Sequence, residues 1–362
     1  MKALVKPYKK TDGLELVDVD KPEIRDPKDV LIKVLAASVC GTDLHIYGSD
    51  PSIRDRIADK QTIGHEFCGE VIEIGDQVTT LVEGDIISSE SHIVCGTCEY
   101  CLIGMPHLCQ EVSLIGVDRP GGLAEYVVIP EQNAVPKRSQ NVSIEVASTL
   151  DAFGNAVDTS LLVPLTGKTV LITGCGPQGL MAIGIALAAG AKQIIATEAK
   201  TNRIHLAKEM LNNHVNPNHT WRNDLILNAN DQNVVDQIFE ATNGLGVDVF
   251  LEMAGHPSAI RDGFFALKNA GHAVILGITS SPIVEVDWAN LVFKGATIHF
   301  RYGRHLYRTW AQGRDLLETG LVKLEPLIHR PYFSLDDFDE AFNLQISGEV
   351  AKVVFKLNDQ SP

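Results

Sequence analysis

At 362 residues, with 45% hydrophobic and 21% charged side chains, the chain has a globular composition and is too long for one ordinary core, so two domains are expected. No apolar run is long enough to cross a bilayer, and a formal net charge of −15, with Lys9–Lys10 as its one basic cluster, argues against a nucleic-acid binder. The opening MKALVKPYKK contains no apolar signal segment, so a reducing cytoplasm is expected, where thiolates stay free to bind metal.

The first 150 residues read as short apolar strands broken by Gly, Pro and Asp, among them DVLIKVLAASV (29–39), GEVIEIG (69–75) and AEYVVIP (124–130). Their pattern predicts a compact, largely β unit. Two local motifs, VCGTDLH and GHEFCGEV, supply Cys40, His65 and Glu66. Thiolate, imidazole and carboxylate are all competent zinc ligands, and a catalytic zinc keeps one position open. Asp151, in LDAFGNAV, is the next acidic candidate. A lone buried cysteine or histidine is more often core packing, but two glycine-flanked motifs upstream of a cysteine-rich loop argue against that here. Thr42 and His45 follow Cys40 closely. A hydroxyl beside an open metal position takes a proton, and an imidazole three residues on passes it to water. The plainer alternative makes Thr42 a helix cap and His45 a surface residue.

Cys95, Cys98, Cys101 and Cys109 follow at C-x2-C-x2-C-x7-C spacing. Four thiolates so close suit one closed tetrahedral Zn2+. Disulfides would need an oxidising compartment, and cluster ferredoxins favour a tighter final spacing followed by proline, whereas Gln110 follows Cys109.

From Thr166 the rhythm changes. The strand KTVLIT leads into GCGPQG and the helical run LMAIGIALAAG, which begins at Leu180. Gly174, Gly176 and Gly179 form G-x-G-x-x-G in the strand–turn–helix context that gives the motif meaning. Glu198 ends the next strand, IIATE, where a carboxylate accepts ribose hydroxyls and repels a 2′-phosphate, favouring NAD over NADP. Arg203 either accommodates a phosphate or stacks on the adenine side. NRIHLAKEML reads as an amphipathic helix, and the Asn-rich NNHVNPNHTWRN (212–223) as a long surface loop. Strands LILNA, VDVFLEMAG and HAVILGI, with helices around 231–242 and 257–269, complete a parallel sheet with crossover helices. The tail from Thr297 holds TIHFRYG, the helix WAQGRDLLETG and the strand AKVVFKL, and most of it is expected to pack on the first lobe.

These motifs make the chain similar to the zinc-dependent medium-chain alcohol dehydrogenases. CGTDLHIY (40–47), SHIVCGTC (91–98), GVDRPGGLAEY (116–126), DAFGNAV (151–157), LEMAG (251–255) and YGRHLYRTW (302–310) resemble most closely the members that act on L-threonine. The resemblance implies an α/β protein with two domains. Residues 1–153 and 300–362 would form a GroES-like, mostly-β catalytic domain, and residues 154–299 a doubly wound Rossmann NAD-binding domain. It implies two Zn2+ per subunit: a catalytic ion on Cys40, His65 and Glu66, with Asp151 as an exchangeable acidic ligand, and a structural ion on Cys95, Cys98, Cys101 and Cys109. It further implies a proton relay through Thr42 and His45, a substrate-selecting His92, and NAD contacts from Gly174, Gly176, Gly179, Leu180, Glu198 and Arg203. The implied activity is oxidation of a secondary alcohol, L-threonine or a relative of it, by a homotetramer with no nucleic-acid or membrane partner. A polyol dehydrogenase using the same chemistry is the alternative. Some positions depart from the expected pattern. Asp158 stands where His is usual, Gly122–Leu123 replaces another residue followed by Phe, Ser89 and Ser91 replace glycines around Glu90, and the 212–223 loop is longer. None removes a ligand, and those near 90 and 122 are expected to alter the substrate pocket.

Overall fold

The computed structural model describes residues 1–214 and 223–358, so residues 215–222 of the expected Asn-rich loop lie outside the described residues. The chain divides into two compact units. The first comprises Met1–Ala152, His305–Arg314 and the chain from Ile328 onward, and the second Phe153–Arg304 with Asp315–Leu327.

The first unit is built on an antiparallel six-stranded sheet. Its axis is Asp29–Ser38, a ten-residue run with buried residues on both faces. Tyr126–Pro130 pairs with the first half of that strand, Val354–Lys356 with its last three residues, and Glu66–Ile74 along its whole other edge. Ile86–Ser89 and Ala134–Pro136 extend the sheet outward. Val30, Ile32, Phe67, Val71, Phe342 and Phe355 are all fully buried in the core beneath it. Period-two alternation is weak along Asp29–Ser38 because both faces are covered, as a buried strand requires. This register places Ser38 opposite Glu66 on one side and opposite Val354 on the other.

The second unit holds a parallel six-stranded sheet in the order Leu225–Asn228, Gln193–Glu198, Thr169–Thr173, Val247–Glu252, Leu267–Ile275, Thr297–Phe300. Order 3-2-1-4-5-6 is the doubly wound arrangement, whose ligand crevice lies at the carboxyl ends of the strands where the winding reverses. Thr169–Thr173 and Gln193–Glu198 are buried along almost their whole length and carry β-branched residues at their centres, as strands covered on both faces do. Helix Pro177–Ala188 follows directly, with Gly176 as N-cap and Pro177 in the first turn.

Three features differ from the sequence expectation. Helix Thr201–His214 takes the first three residues of the expected 212–223 loop. Helix Trp288–Lys294 was not anticipated; Asp287 caps its start by accepting from Asn290 N–H, and Gly295 ends it at φ 59°. The tail also divides, with residues 315–327 and the chain through Arg304 packing with the second unit. Part of the reason is polar. Arg301 Nε donates to Asp158 at 2.6 Å, and the fully buried Arg304 donates to Asn155 Oδ1 at 3.2 Å, so helix Leu150–Ser160 holds the end of the sixth strand. Asp158, expected as a departure from the pattern, is thus a carboxylate with a guanidinium partner.

Candidate active site

Within the first unit, Ser38 ends its strand and the chain turns through Cys40, the N-cap of helix Gly41–Tyr47. Asp43 in the first turn of that helix accepts the Cys40 N–H at 2.8 Å, which fixes the cysteine at the helix start. His65 and Glu66 enter from the neighbouring strand Glu66–Ile74 and the residue before it. One ligand atom from each of Cys40, His65 and Glu66 lies within 4.8 Å of the others, and His65 and Glu66 are buried.

The electrostatics of this trio favour a cation. His65 is driven well above its usual value: burial opposes its charge, but the neighbouring Cys40 sulfur and Asp43 carboxyl outweigh burial. Asp43 is itself pushed up by burial, and its Oδ1 lies 3.8 Å from His65 Nδ1. A carboxylate behind a histidine is the usual way to orient a metal-binding imidazole. Glu66 Oε2 accepts from the Ser38 hydroxyl and from the Lys352 ammonium, while Glu66 Oε1 is buried with no hydrogen-bond partner. A buried polar atom left unpaired is costly. A divalent ion held by Cys40 Sγ, a His65 ring nitrogen and Glu66 Oε1 would satisfy it, so the donor set fits the expected metal.

Sulfurs of Cys95, Cys98, Cys101 and Cys109 likewise lie within 4.8 Å of one another. The backbone N–H groups of Thr97 and Cys98 pull the Cys95 thiol down to about 6, and those of Cys101 and Gln110 lower Cys98. Cys101 is pushed up, first by burial and then by its neighbouring thiols. Four thiols competing for negative charge form a closed S4 cage with no open position, the pattern of a structural zinc site.

The other predicted residues of this unit take distinct places. Thr42 and His45 lie one turn apart on helix Gly41–Tyr47, and His45 Nδ1 is 3.0 Å from Asp50 Oδ2. Asp151 stands outside the three-ligand group; its Oδ1 accepts the Ser91 N–H at 3.0 Å. His92 is held through both its backbone N–H and its Nδ1 by Glu90 Oε1, each at 2.8 Å, while Trp310 donates its indole N–H to Glu90 Oε2. The serines around Glu90 reach the site. Ser89 Oγ donates to the His65 carbonyl at 2.6 Å, and Ser91 Oγ lies 3.3 Å from His92 Nδ1. The departure at 122–123 has a different outcome. Leu123 is fully buried, its side chain against Gly64, and a Cβ on Gly122 would meet the Phe67 ring at 2.2 Å, so this change belongs to the core.

In the second unit the glycine turn has the geometry its spacing predicts. Gly174 sits at φ 82°, and a Cβ on Gly179 would stand 1.8 Å from the Gly174 carbonyl. Leu180 is fully buried, and its N–H already bonds the Gly176 carbonyl. Glu198 accepts three backbone N–H groups, from Cys175 and Ala199 at 2.8 Å and from Lys200 at 2.9 Å. A carboxylate has about four lone-pair sites, which leaves room for one further donor. Arg203 reaches the same turn, its Nη1 3.8 Å from where a Gly176 Cβ would stand.

Sequence reasoning passed over four residues here. Asp43 was visible inside VCGTDLH, and Glu252 inside LEMAG, where its buried carboxylate accepts from the N–H groups of Ala254, Gly255 and Gly277 and is pushed up by burial. Ser38 and Lys352 gave no local signal, since their role depends on strand register.

Comparison with known proteins agrees with this geometry. Residues 26–139 match the family described as "Alcohol dehydrogenase GroES-like domain" and residues 177–319 the family "Zinc-binding dehydrogenase". The L-threonine 3-dehydrogenase of Pyrococcus furiosus is 43% identical over 346 residues, 95% of each chain. That of Bacillus licheniformis is 40% identical over 357 residues, 98% of each. The crystal structure of 2R,3R-butanediol dehydrogenase from Bacillus subtilis superposes with a TM-score of 0.85 at 26% identity, covering 99% of each chain. The chain belongs to the zinc-binding alcohol dehydrogenase family.

Proposed function

We propose that this zinc-binding dehydrogenase oxidises the C3 hydroxyl of L-threonine with NAD, giving 2-amino-3-oxobutanoate, NADH and a proton. The observation that carries the reading is the Cys40–His65–Glu66 group, with His65 and Glu66 buried and one Glu66 oxygen unpartnered, and the full-length likeness to threonine dehydrogenases directs it to this substrate. We assign two Zn2+ per subunit, one to that trio and one to the four-cysteine loop. The catalytic ion supplies Lewis acidity that lowers the pKa of the substrate hydroxyl, and NAD supplies the two-electron acceptor.

The chain's own residues do the remaining work. Thr42 Oγ1 takes the hydroxyl proton and His45 carries it outward. With His45 Nδ1 on Asp50, Nε2 is the nitrogen left to receive it. Glu90 fixes the His92 ring through Nδ1 and so presents Nε2 toward the substrate's polar groups. The substrate ammonium calls for an anionic neighbour; Glu66 already accepts from Ser38 and Lys352, and Glu90 from Trp310 and His92. We assign the ammonium to Asp151, which stands outside the three-ligand group and whose Oδ1 also accepts the Ser91 N–H. In the second unit, Gly174, Gly176 and Gly179 bring backbone N–H groups to the pyrophosphate, Arg203 adds a cation beside them, and Glu198 accepts one ribose hydroxyl and disfavours a 2′-phosphate.

We further assign a homotetramer in the reducing cytoplasm. Phe300 at the edge strand and Trp288, Val292 and Phe293 on the helix before it are 61–86% exposed, an apolar patch that a second copy would cover. Light scattering tests the assembly. No helix among the described residues is long and apolar enough to cross a membrane.

A substrate panel with NADH absorbance as readout tests the activity. L-Threonine should support turnover well above sorbitol or 2,3-butanediol, and a chelator should abolish it. Turnover of the polyols with none of threonine would assign the chain to polyol oxidation instead.

A further inference from the structure

We infer that Lys352 is a positioning residue for the catalytic metal, acting with Ser38 to hold Glu66 so that one carboxylate oxygen alone faces the ion. The inference rests on the cation-site reading of Cys40, His65 and Glu66, and goes beyond it by bringing the C-terminal strand into the site.

The register makes the arrangement. Glu66, Ser38 and Val354 lie side by side across three adjacent strands, and Lys352 precedes Val354 by two residues, the spacing that puts side chains on one face. Lys352 is 2% exposed. Its ammonium donates to Glu66 Oε2 and, at 3.0 Å, to the Val39 carbonyl. Gln345 donates to the same carbonyl at 2.7 Å and accepts the Val353 N–H at 2.8 Å, so the strand bearing Lys352 is pinned beside the residue that precedes Cys40.

Both neighbours of Glu66 converge on a single oxygen. Ser38 and Lys352 share Oε2, and Oε1 is left buried and unpartnered. A buried ion pair serving packing alone would gain by satisfying both oxygens. Crowding two donors onto Oε2 instead leaves Oε1 as the oxygen that would face a bound ion, so Glu66 would offer it one atom. The positive charge also offsets a site that gathers the carboxylates of Asp43 and Glu66 with the Cys40 sulfur.

Zinc retention tests this without reference to turnover. The zinc-loaded proteins, wild type and Lys352→Met, Lys352→Arg and Ser38→Ala variants, are titrated with a chromophoric chelator, and melting curves report folding. The four-cysteine ion serves as an internal reference. Lys352→Met should release the catalytic-site zinc at least about tenfold more readily, the scale expected for a residue behind a metal ligand. Lys352→Arg should recover most of that loss, Ser38→Ala should show a smaller one, and the four-cysteine ion should be held as in wild type. A folded Lys352→Met protein that keeps both ions as tightly as wild type overturns the inference. Should Lys352→Met fail to fold, Ser38→Ala decides, and wild-type retention there overturns it equally. A wild-type protein that retains only the four-cysteine ion overturns the cation-site reading itself.

Discussion

Replacing Glu198 by Gln separates two jobs that the carboxylate performs at once. Its Oε2 accepts from Cys175 N–H in the glycine turn, and its Oε1 from Ala199 and Lys200 N–H, all at 2.8–2.9 Å in a residue only 6% exposed. Glutamine offers one oxygen. Directed at Ala199 and Lys200, it turns its NH2 group toward the Cys175 N–H, and that buried donor is left unsatisfied at a cost of about 1–3 kcal/mol. The two surviving bonds lose their charge assistance, about 1 kcal/mol each. The expected loss of stability is therefore about 3–5 kcal/mol, read as a lower urea midpoint at unchanged slope. Cofactor choice changes for a different reason. A carboxylate about 4 Å from a phosphate charge, at an effective dielectric near 20, repels it by about 4 kcal/mol, close to a thousandfold in affinity. Glu198→Gln should therefore lower the NAD-over-NADP ratio of kcat/KM by up to about a thousandfold, chiefly by improving NADP. A variant that loses stability as expected but keeps its cofactor ratio would show that Glu198 clamps the turn and does not read the ribose.

Asp158→Asn should destabilise by about 3–5 kcal/mol, because it strips the partner from an Arg301 side chain that is 13% exposed; a loss under about 1 kcal/mol would show that the pair is idle. Gly122→Ala should cost about 1–3 kcal/mol by driving a methyl group into the Phe67 ring, with NAD affinity unchanged, and a wild-type melting temperature would refute the close approach. Glu131 tests the acid limb of stability. Burial raises its carboxyl, but the N–H groups of Thr80 and Thr79 prevail and hold it below the usual value. A depressed folded pKa means that the stabilisation is complete above the unfolded value of about 4.3 and is lost as pH falls through the folded one. Glu131→Gln should flatten stability against pH in that window, and an unchanged acid limb would count against the assignment.

The second unit was legible because its signals are local. A buried strand, a glycine turn and an apolar helix succeed one another within about twenty residues, and each constrains the next. Helix Trp288–Lys294 escaped because it is only seven residues long and carries Trp288, Val292 and Phe293 toward solvent, which blurs any apolar face. The partition of the tail escaped for a different reason. Arg301 and Arg304 find Asp158 and Asn155 at separations of 143 and 149 residues, and no periodicity announces such a pairing.

The same distinction governs the site. Cys40, His65, Glu66 and the four cysteines, the two groups that could hold a metal ion, were readable because such donors come in short motifs. Lys352 was not, because it meets Glu66 across 286 residues through strand register. The departures near 90 and 122 looked alike in the sequence, and the structure separates them. Leu123 is sealed in the core and Gly122 gives way to a phenylalanine ring, so neither presents a group to a ligand. Ser89 bonds the carbonyl of His65, and Ser91 touches both Asp151 and His92. A hydroxyl added at Ser91 changes what surrounds the two residues assigned to substrate recognition, whereas glycine would contribute its N–H alone. Any difference in substrate choice between this chain and its relatives should therefore map to Ser89 and Ser91: replacing both by Gly should shift the KM for L-threonine, and equal KM values would return the question to the core.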